Sequence, residues 1–458
     1  MSVYLTSGAA LTQVADAIRA KGGTSQPLTY PAGFVAAIGE IQTGGTLEKN
    51  DVNFYDYDGT LLAAYSAQDF LALTELPAPP THEGLTAQGW NWTLAQAQAY
   101  VTAHGMLDIG QMYVPSDGAT RIWIRIEADT PASRRFFQLY LGETVDGGVT
   151  IHWGDGQTTT LSGTSQTLYT HDYAQAGDYV IALEVTDGNL VLSGSSTRSV
   201  WGESTASRGN QYQAARIKRL AVGSGVTKVG EYAFKDCRNL QAVSLPQGVT
   251  VSDYGFQNCC GLYSLTIPRG VTRIGISALQ SCSGLRAVSL PNGLTQISDY
   301  CFAQCGSLAR ATIPDTVTTL GGGVFASCVS LAEIALSAGL TTLTNNLLSA
   351  CQSLVRVTIP DSVTALATNC LNQCSGLTRL TIPAGVASIG SGAIGNLYGV
   401  GELWLLPTTP PSLGTASFPS GISFVIYVPY SADHSVFTAY QQASGWSSYA
   451  DKMVEASR

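Results

Sequence analysis

From about Ala214 to Leu403 the apolar positions recur in a phrase of roughly twenty-three residues. A large apolar side chain (Phe234, Phe256, Leu279, Phe302, Phe325, Leu348, Leu371) stands three residues before a cysteine (Cys237, Cys259, Cys282, Cys305, Cys328, Cys351, Cys374). A leucine stands three residues after each one, from Leu240 to Leu377. An alternating apolar pair follows, as in Val243 and Leu245 or Leu380 and Ile382. Proline closes most of these runs (Pro246, Pro268, Pro291, Pro314, Pro360, Pro383), with Ser337 the exception. A degenerate unit with Ile217, Leu220 and Val222 leads in, and one with Ile394 and Leu397 leads out. The alternation predicts one short, half-buried strand per unit, stopped by Pro because Pro cannot donate to a ladder. No single unit can bury its own apolar face, so the units stack as a solenoid and stand or fall together. At one strand spacing per coil, about eight coils give a rod on the order of 35–40 Å long.

The pattern changes outside this stretch. In residues 1–45, Leu11, Val14, Ala15 and Ile18 share a helical face that ends at Gly22-Gly23. A second helix opens at Pro31 and carries Phe34, Ile38 and Ile41. Two helices this small bury too little to stand alone, so this segment reads as an attachment module that packs on a partner, on copies of itself or on the next module. Residues 46–117 read as a small α+β spacer. It has an Asp-Gly hairpin between Val52–Tyr55 and Leu61–Tyr65, helices at Ser66–Leu73 and Thr93–His104, a strand at Asp108–Tyr113, and Trp90 and Trp92 as core aromatics. Residues 118–200 alternate as a β-sandwich, with Ile122, Ile124 and Ile126 on one face and Trp153 in the core. Gly154-Asp155-Gly156 makes a tight turn there, and His152 and His171 are structural. Residues 201–213 form a polar linker. In residues 404–458, Leu403-Trp404-Leu405 and Ile426–Pro429 read as last strands and 434–456 as a helix broken at Gly445, a cap for the open solenoid end.

Two resemblances sharpen this picture. Cys374-Ser-Gly-Leu377 and Ile382-Pro-Ala-Gly-Val386 resemble the phrases of BspA-type leucine-rich repeats of bacterial and phage surface proteins, over some 190 residues. Ile151-His-Trp153-Gly154-Asp155-Gly156, followed by Tyr169-Thr-His171-Asp-Tyr173, Gly177-Asp-Tyr179 and Val185-Thr-Asp187, resembles the polycystic kidney disease (PKD) domain. The expected fold class is therefore mainly β and multidomain: a short helical N-terminal module, an α+β spacer, a PKD/Ig-like β-sandwich, and a leucine-rich-repeat solenoid (214–403) with a C-terminal cap. Ala17-Ile18-Arg19-Ala20-Lys21-Gly22-Gly23 and Tyr30-Pro31-Ala32-Gly33-Phe34 are similar to N-termini of phage and prophage tail-associated proteins of Firmicutes. Asp56-Tyr57-Asp58-Gly59-Thr60 matches the first motif of haloacid dehalogenase-like phosphatases, in which two aspartates act on phosphorus. That family also needs a distant Lys, and this chain has none between Lys49 and Lys218.

Charge and composition narrow the function. Only 12% of residues are charged and the net charge is −9, which argues against sequence-independent nucleic-acid binding. No run approaches eighteen apolar residues, so no membrane span is expected. Met1–Ala10 carries no basic residue, unlike a secretory signal, and this favours a virion protein released by lysis over an exported one. The cysteine column reads as buried, reduced thiols serving as small hydrophobes, although neighbouring coils lie within disulfide reach. The pattern carries no nucleophile–base pair, phosphate loop, zinc spacing or cofactor motif, so no catalytic, metal or cofactor residue is assigned.

What repeats is a surface. The residue between the paired apolar strand positions points outward (Ser244, Thr266, Ser289, Thr312, Ala335, Thr358, Thr381), and a second outward column lies two residues earlier (Ala242, Ser264, Ala287, Arg310, Glu333, Arg356, Arg379). Arg310, Arg356 and Arg379, with Thr312, Thr358 and Thr381, are the candidate contact residues for a bacterial surface glycan or protein; a solvated sheet face with Thr chosen for β-propensity is the plain alternative. The leading expectation is a non-enzymatic phage tail-associated adhesion or receptor-binding protein whose residues 1–45 join a tail or baseplate protein. A bacterial cell-surface adhesin is the alternative, and a phosphatase or polysaccharide hydrolase comes third. A homo-oligomer is compatible with the sequence, although no coiled-coil heptad specifies one.

Overall fold

A computed structural model describes residues 51–194, 199–201, 212–418 and 424–456. The expected helices of residues 1–45 lie outside the described residues. The solenoid dominates. Its first ladder is a row of parallel strands that begins at Ile217–Ala221, Ala242–Ser244 and Ser264–Thr266 and continues to Arg379–Ile382, Glu402–Leu405 and Val425–Pro429. Each coil also carries a second strand of two residues, from Lys228–Val229 and Thr250–Val251 to Ser388–Ile389 and Ser412–Leu413. Each unit therefore holds two strands where the alternation predicts one. A single apolar residue at the same period, Val229, Val251, Ile274 and so on, is all that marks the second ladder in the sequence.

The interior is built from rows of like residues. Phe234 stacks on Phe256 with ring centroids 5.6 Å apart, and Phe302 on Phe325 at 5.5 Å. The seven periodic cysteines are fully buried and none forms a disulfide. They do more than fill space: Cys328 Sγ donates to Phe302 O in the preceding coil at 3.2 Å, and Cys259, Cys282, Cys305, Cys351 and Cys374 make the same bond to their own preceding coils. Burial pushes the thiols up, to about 12 at Cys328 and Cys374, so they remain protonated donors. Each coil turns its corner through two residues in the left-handed region, one five before the cysteine and one just before it, as at Tyr300 (φ 54) and Gln304 (φ 62).

Residues 120–191 form two facing sheets over one core containing Ile122, Phe137, Trp153 and Ile181. One is built from β5 (Thr120–Ile126), β7 (Val149–His152), β8 (Thr158–Thr160) and β10 (Gly177–Val185); the other from β6 (Phe136–Glu143), β9 (Thr167–Asp172) and β11 (Leu190–Val191). His171 pairs with Asp155 at 2.7 Å and stacks on Trp153, while His152 pairs with Glu184 at 2.9 Å. The first sheet does not stop at this domain. The lead-in strand of the solenoid, β12 (Ile217–Ala221), pairs antiparallel with β5 and parallel with Ala242–Ser244, so the two cores are continuous. Of the linker expected at 201–213, Trp201 is buried in this core and Tyr212–Arg216 is a short helix that anchors on the sandwich through Arg216.

Residues 51–115 fold as a third unit. β1 (Val52–Tyr55) and β2 (Leu61–Tyr65) form the expected hairpin; β1 then pairs in parallel with β4 (Leu107–Pro115), and β4 antiparallel with β3 (Leu85–Trp90). α1 (Ala67–Leu71) and α2 (Leu94–His104) cover one side. α2 starts with a Thr93–Gln96 capping box and ends at Gly105 with φ 72. At the far end of the chain, Ser435–Gln442 is helical and Ser447–Lys452 is a 3-10 turn. Met453–Ala456, expected as helix, instead adds a parallel strand to Val425–Pro429. The open ladder edge outcompetes the last helical turn for these backbone groups.

Candidate binding face

The outward column of the solenoid is divided in two by the 51–115 unit. Its central strand β4 crosses the strands of five successive coils, from Ile217–Ala221 to Arg310–Thr312. The hydroxyls expected to be solvated hold this strand: Ser244 Oγ donates to Tyr113 O at 2.6 Å and Ser289 Oγ to Asp108 O at 2.7 Å. Around them, Asn91 Nδ2 donates to Ile267 O, Trp92 Nε1 to Leu290 O and Tyr100 OH to Ile313 O. Gly110 lies so close to Thr266 that an added Cβ would meet Oγ1 at 2.0 Å.

Two of the six candidate residues are lost to this contact. Thr312 is buried beneath the unit. Arg310 pairs through Nε with Asp108 Oδ1 at 3.2 Å and donates from Nη2 to Asp51 O at 2.7 Å. Asp108 is fully buried and also accepts from Asn53 Nδ2; burial pushes its carboxyl up, opposed by Arg310. Neither residue is free to meet a ligand, because a segment more than two hundred positions earlier already occupies them.

The other four remain open. Arg356, Thr358 and Arg379 are exposed and Thr381 half-buried, along a groove that starts where α2 ends. Two adjoining cavities of about 580 and 530 Å³ share Glu333, Arg356, Thr358 and Asp361 on their floor. One is walled by Ala103–Met106, and the other reaches Arg379 and Thr381. The Arg356 guanidinium makes no hydrogen bond or ion pair with any of the described residues. Arg379 pairs with Glu402 and lies 5.8 Å above the Trp404 ring, whose Nε1 donates to Glu402 at 3.0 Å. These two bonds, Trp404 first, hold the Glu402 carboxyl below the ordinary glutamate range. Trp404 stacks on Tyr427 at 4.1 Å, half-buried like its partner. Trp404, Glu402 and Tyr427 were not assigned from the sequence, although the register Thr381↔Trp404↔Tyr427 continues the same column at a spacing of 23 residues.

These coils match the model of the BspA type leucine rich repeat region in six copies, over residues 208–331 and 295–418. The solenoid is a BspA-type leucine-rich-repeat array. Solved structures similar to this chain include a leucine rich cell surface protein from Faecalibacterium prausnitzii, at 25% identity and TM-score 0.31. That match covers 46% of this chain and 62% of the other, less than two thirds of its length. The leucine rich repeat protein of T. pallidum matches at 27% identity, TM-score 0.33, covering 35% and 78%. A leucine-rich repeat protein from Bacteroides ovatus matches at 19% identity, TM-score 0.27, covering 63% and 90%. Comparison with curated proteins finds no match.

The phosphatase-like motif has a structural occupation. Asp56 is buried, accepts from the Tyr57 N–H and pairs with His82 at 2.8 Å, while Asp58 accepts from Thr60 N inside the hairpin turn, where Gly59 has φ 90. Among the described residues no helix is long and apolar enough to cross a membrane.

Proposed function

We propose that this chain is a non-enzymatic adhesion protein that binds a bacterial surface component, glycan or protein, through the open half of its leucine-rich-repeat face. The observation that carries this reading is Arg356, an exposed guanidinium without a partner among the described residues, on the floor of a groove lined by Thr358, Arg379 and Thr381. A regular solenoid face offers similar contacts coil after coil, which suits a large partner. The repeat type supports a place on a bacterial cell surface as the first reading. A phage tail-associated protein is the second, favoured by the phrasing of residues 17–23 and 30–34. In either setting residues 1–45 serve attachment and residues 118–200 act as a PKD-like spacer. The local bonds of Asp56 and Asp58 support a structural role for the aspartate pair.

The test is flow cytometry of the labelled full chain on a panel of bacterial cells. Arg356→Gln with Arg379→Gln is expected to reduce binding at least tenfold, and unchanged binding removes the reading. Immunogold with antibody to residues 214–458 separates the two settings: label on cell envelopes supports the adhesin, and label on phage tail tips the virion protein.

A further inference from the structure

Half of this face is already occupied by polypeptide, and the manner of its occupation is a template. β4 lies across the coils in extended form, and two of the outward hydroxyls read its backbone: Ser244 Oγ and Ser289 Oγ each donate to a carbonyl of the strand, at Tyr113 and Asp108. The earlier outward column supplies the side-chain specificity, since Arg310 takes the Asp108 carboxylate. The open coils repeat both columns in register. Arg310, Glu333 and Arg356 hold the same register position on three successive coils. Thr358 and Thr381 continue the hydroxyl column, and the groove begins at Ala103–Met106, immediately before β4 itself starts at Leu107.

Resting on the binding role proposed above, we infer that the open half of the face docks an extended polypeptide segment of a partner protein, laid end to end with β4. Thr358 and Thr381 donate to its backbone carbonyls as Ser244 and Ser289 do in the covered half, and Arg356 takes an Asp or Glu side chain as Arg310 takes Asp108. The Trp404–Tyr427 stack closes the far end and meets an apolar residue of the segment. From the coil of Glu333 to that of Glu402 is three strand spacings, about 14 Å, which an extended stretch of about five residues spans.

A nine-residue random peptide library displayed on yeast is panned against the full chain, and the binders are measured on Arg356→Gln, Thr381→Val and, as a control outside the groove, Lys228→Gln. Arg356 is exposed and free of partners among the described residues, so its replacement leaves the fold intact. Binders that carry a carboxylate, weaken at least tenfold on Arg356→Gln and Thr381→Val, and ignore Lys228→Gln are the expected result. Binders indifferent to Arg356 and Thr381, or no binders, overturn the inference. If cell binding survives protease treatment of the cells yet is lost in Arg356→Gln, the partner is a surface polysaccharide: the inference fails and the proposed function stands. If Arg356→Gln and Arg379→Gln together leave cell binding untouched, both fail.

Discussion

Arg310 and Arg356 occupy equivalent positions on the ladder and have opposite circumstances, and mutation separates them. Arg310→Ala leaves the Asp108 carboxylate buried without its ion partner, at a cost of about 3 kcal/mol. Asp108→Asn combined with Arg310→Gln removes both charges and is expected to recover more than half of that loss in chemical denaturation. Arg356→Gln is expected to change stability by less than about 0.5 kcal/mol, as at an exposed position without partners. The cysteines give a second contrast. At pH 8 the buried thiols remain protonated, so Ellman's reagent is expected to titrate at most the half-buried Cys260 in the native chain and all ten thiols after denaturation. Cys328→Ala removes both the packing and the bond to Phe302 O and is expected to destabilise by about 1–2 kcal/mol, measured by the denaturation midpoint.

At the scale of the element, the corners and the docking strand carry the testable strain. Ala350 holds φ 62, a region that costs an L-residue about 1 kcal/mol, so Ala350→Gly is expected to raise the denaturation midpoint. Gly392 occupies the other corner position at φ 62, with an added Cβ at 2.3 Å from Asn369 Oδ1, and Gly392→Ala is expected to lower it. Gly110→Ala forces β4 away from Thr266; limited proteolysis is expected to cut within 51–117 while the repeats resist. These elements were unequally visible in the sequence. The first ladder, the cysteine column, the β1–β2 hairpin and α2 are written in local periodicity, turn residues and caps. The second ladder is only two residues per coil, too short for alternation to register. Met453–Ala456 followed a helical pattern, and only the available ladder edge made it a strand.

For the whole molecule, the missing information was long-range. Nothing local to Asp108 or Tyr113 announces a partner, and the bonds that dock the unit join residues 131 positions apart at Ser244–Tyr113 and 259 at Arg310–Asp51. The outward direction of Arg310 and Thr312 was legible; their cover was not. The single trace is Gly110, a glycine inside a strand pattern, which signals close backbone approach. Arg356, Thr358, Arg379 and Thr381 remained candidates because the docked unit ends one coil short of them.

That ending has a consequence for how such a chain can change. Near-identical units invite unequal recombination, and a gain or loss of one twenty-three-residue unit leaves most of the stack intact. Beneath β4 this freedom is withdrawn: a nine-residue strand bridges a set number of coils, and an extra one there would carry Arg310 out of reach of Asp108. The docked strand therefore acts as a gauge. Lineages of this protein are expected to hold the coil number constant before Arg310 and to vary it between Glu333 and Trp404, so that the reach of the molecule evolves while its joint does not.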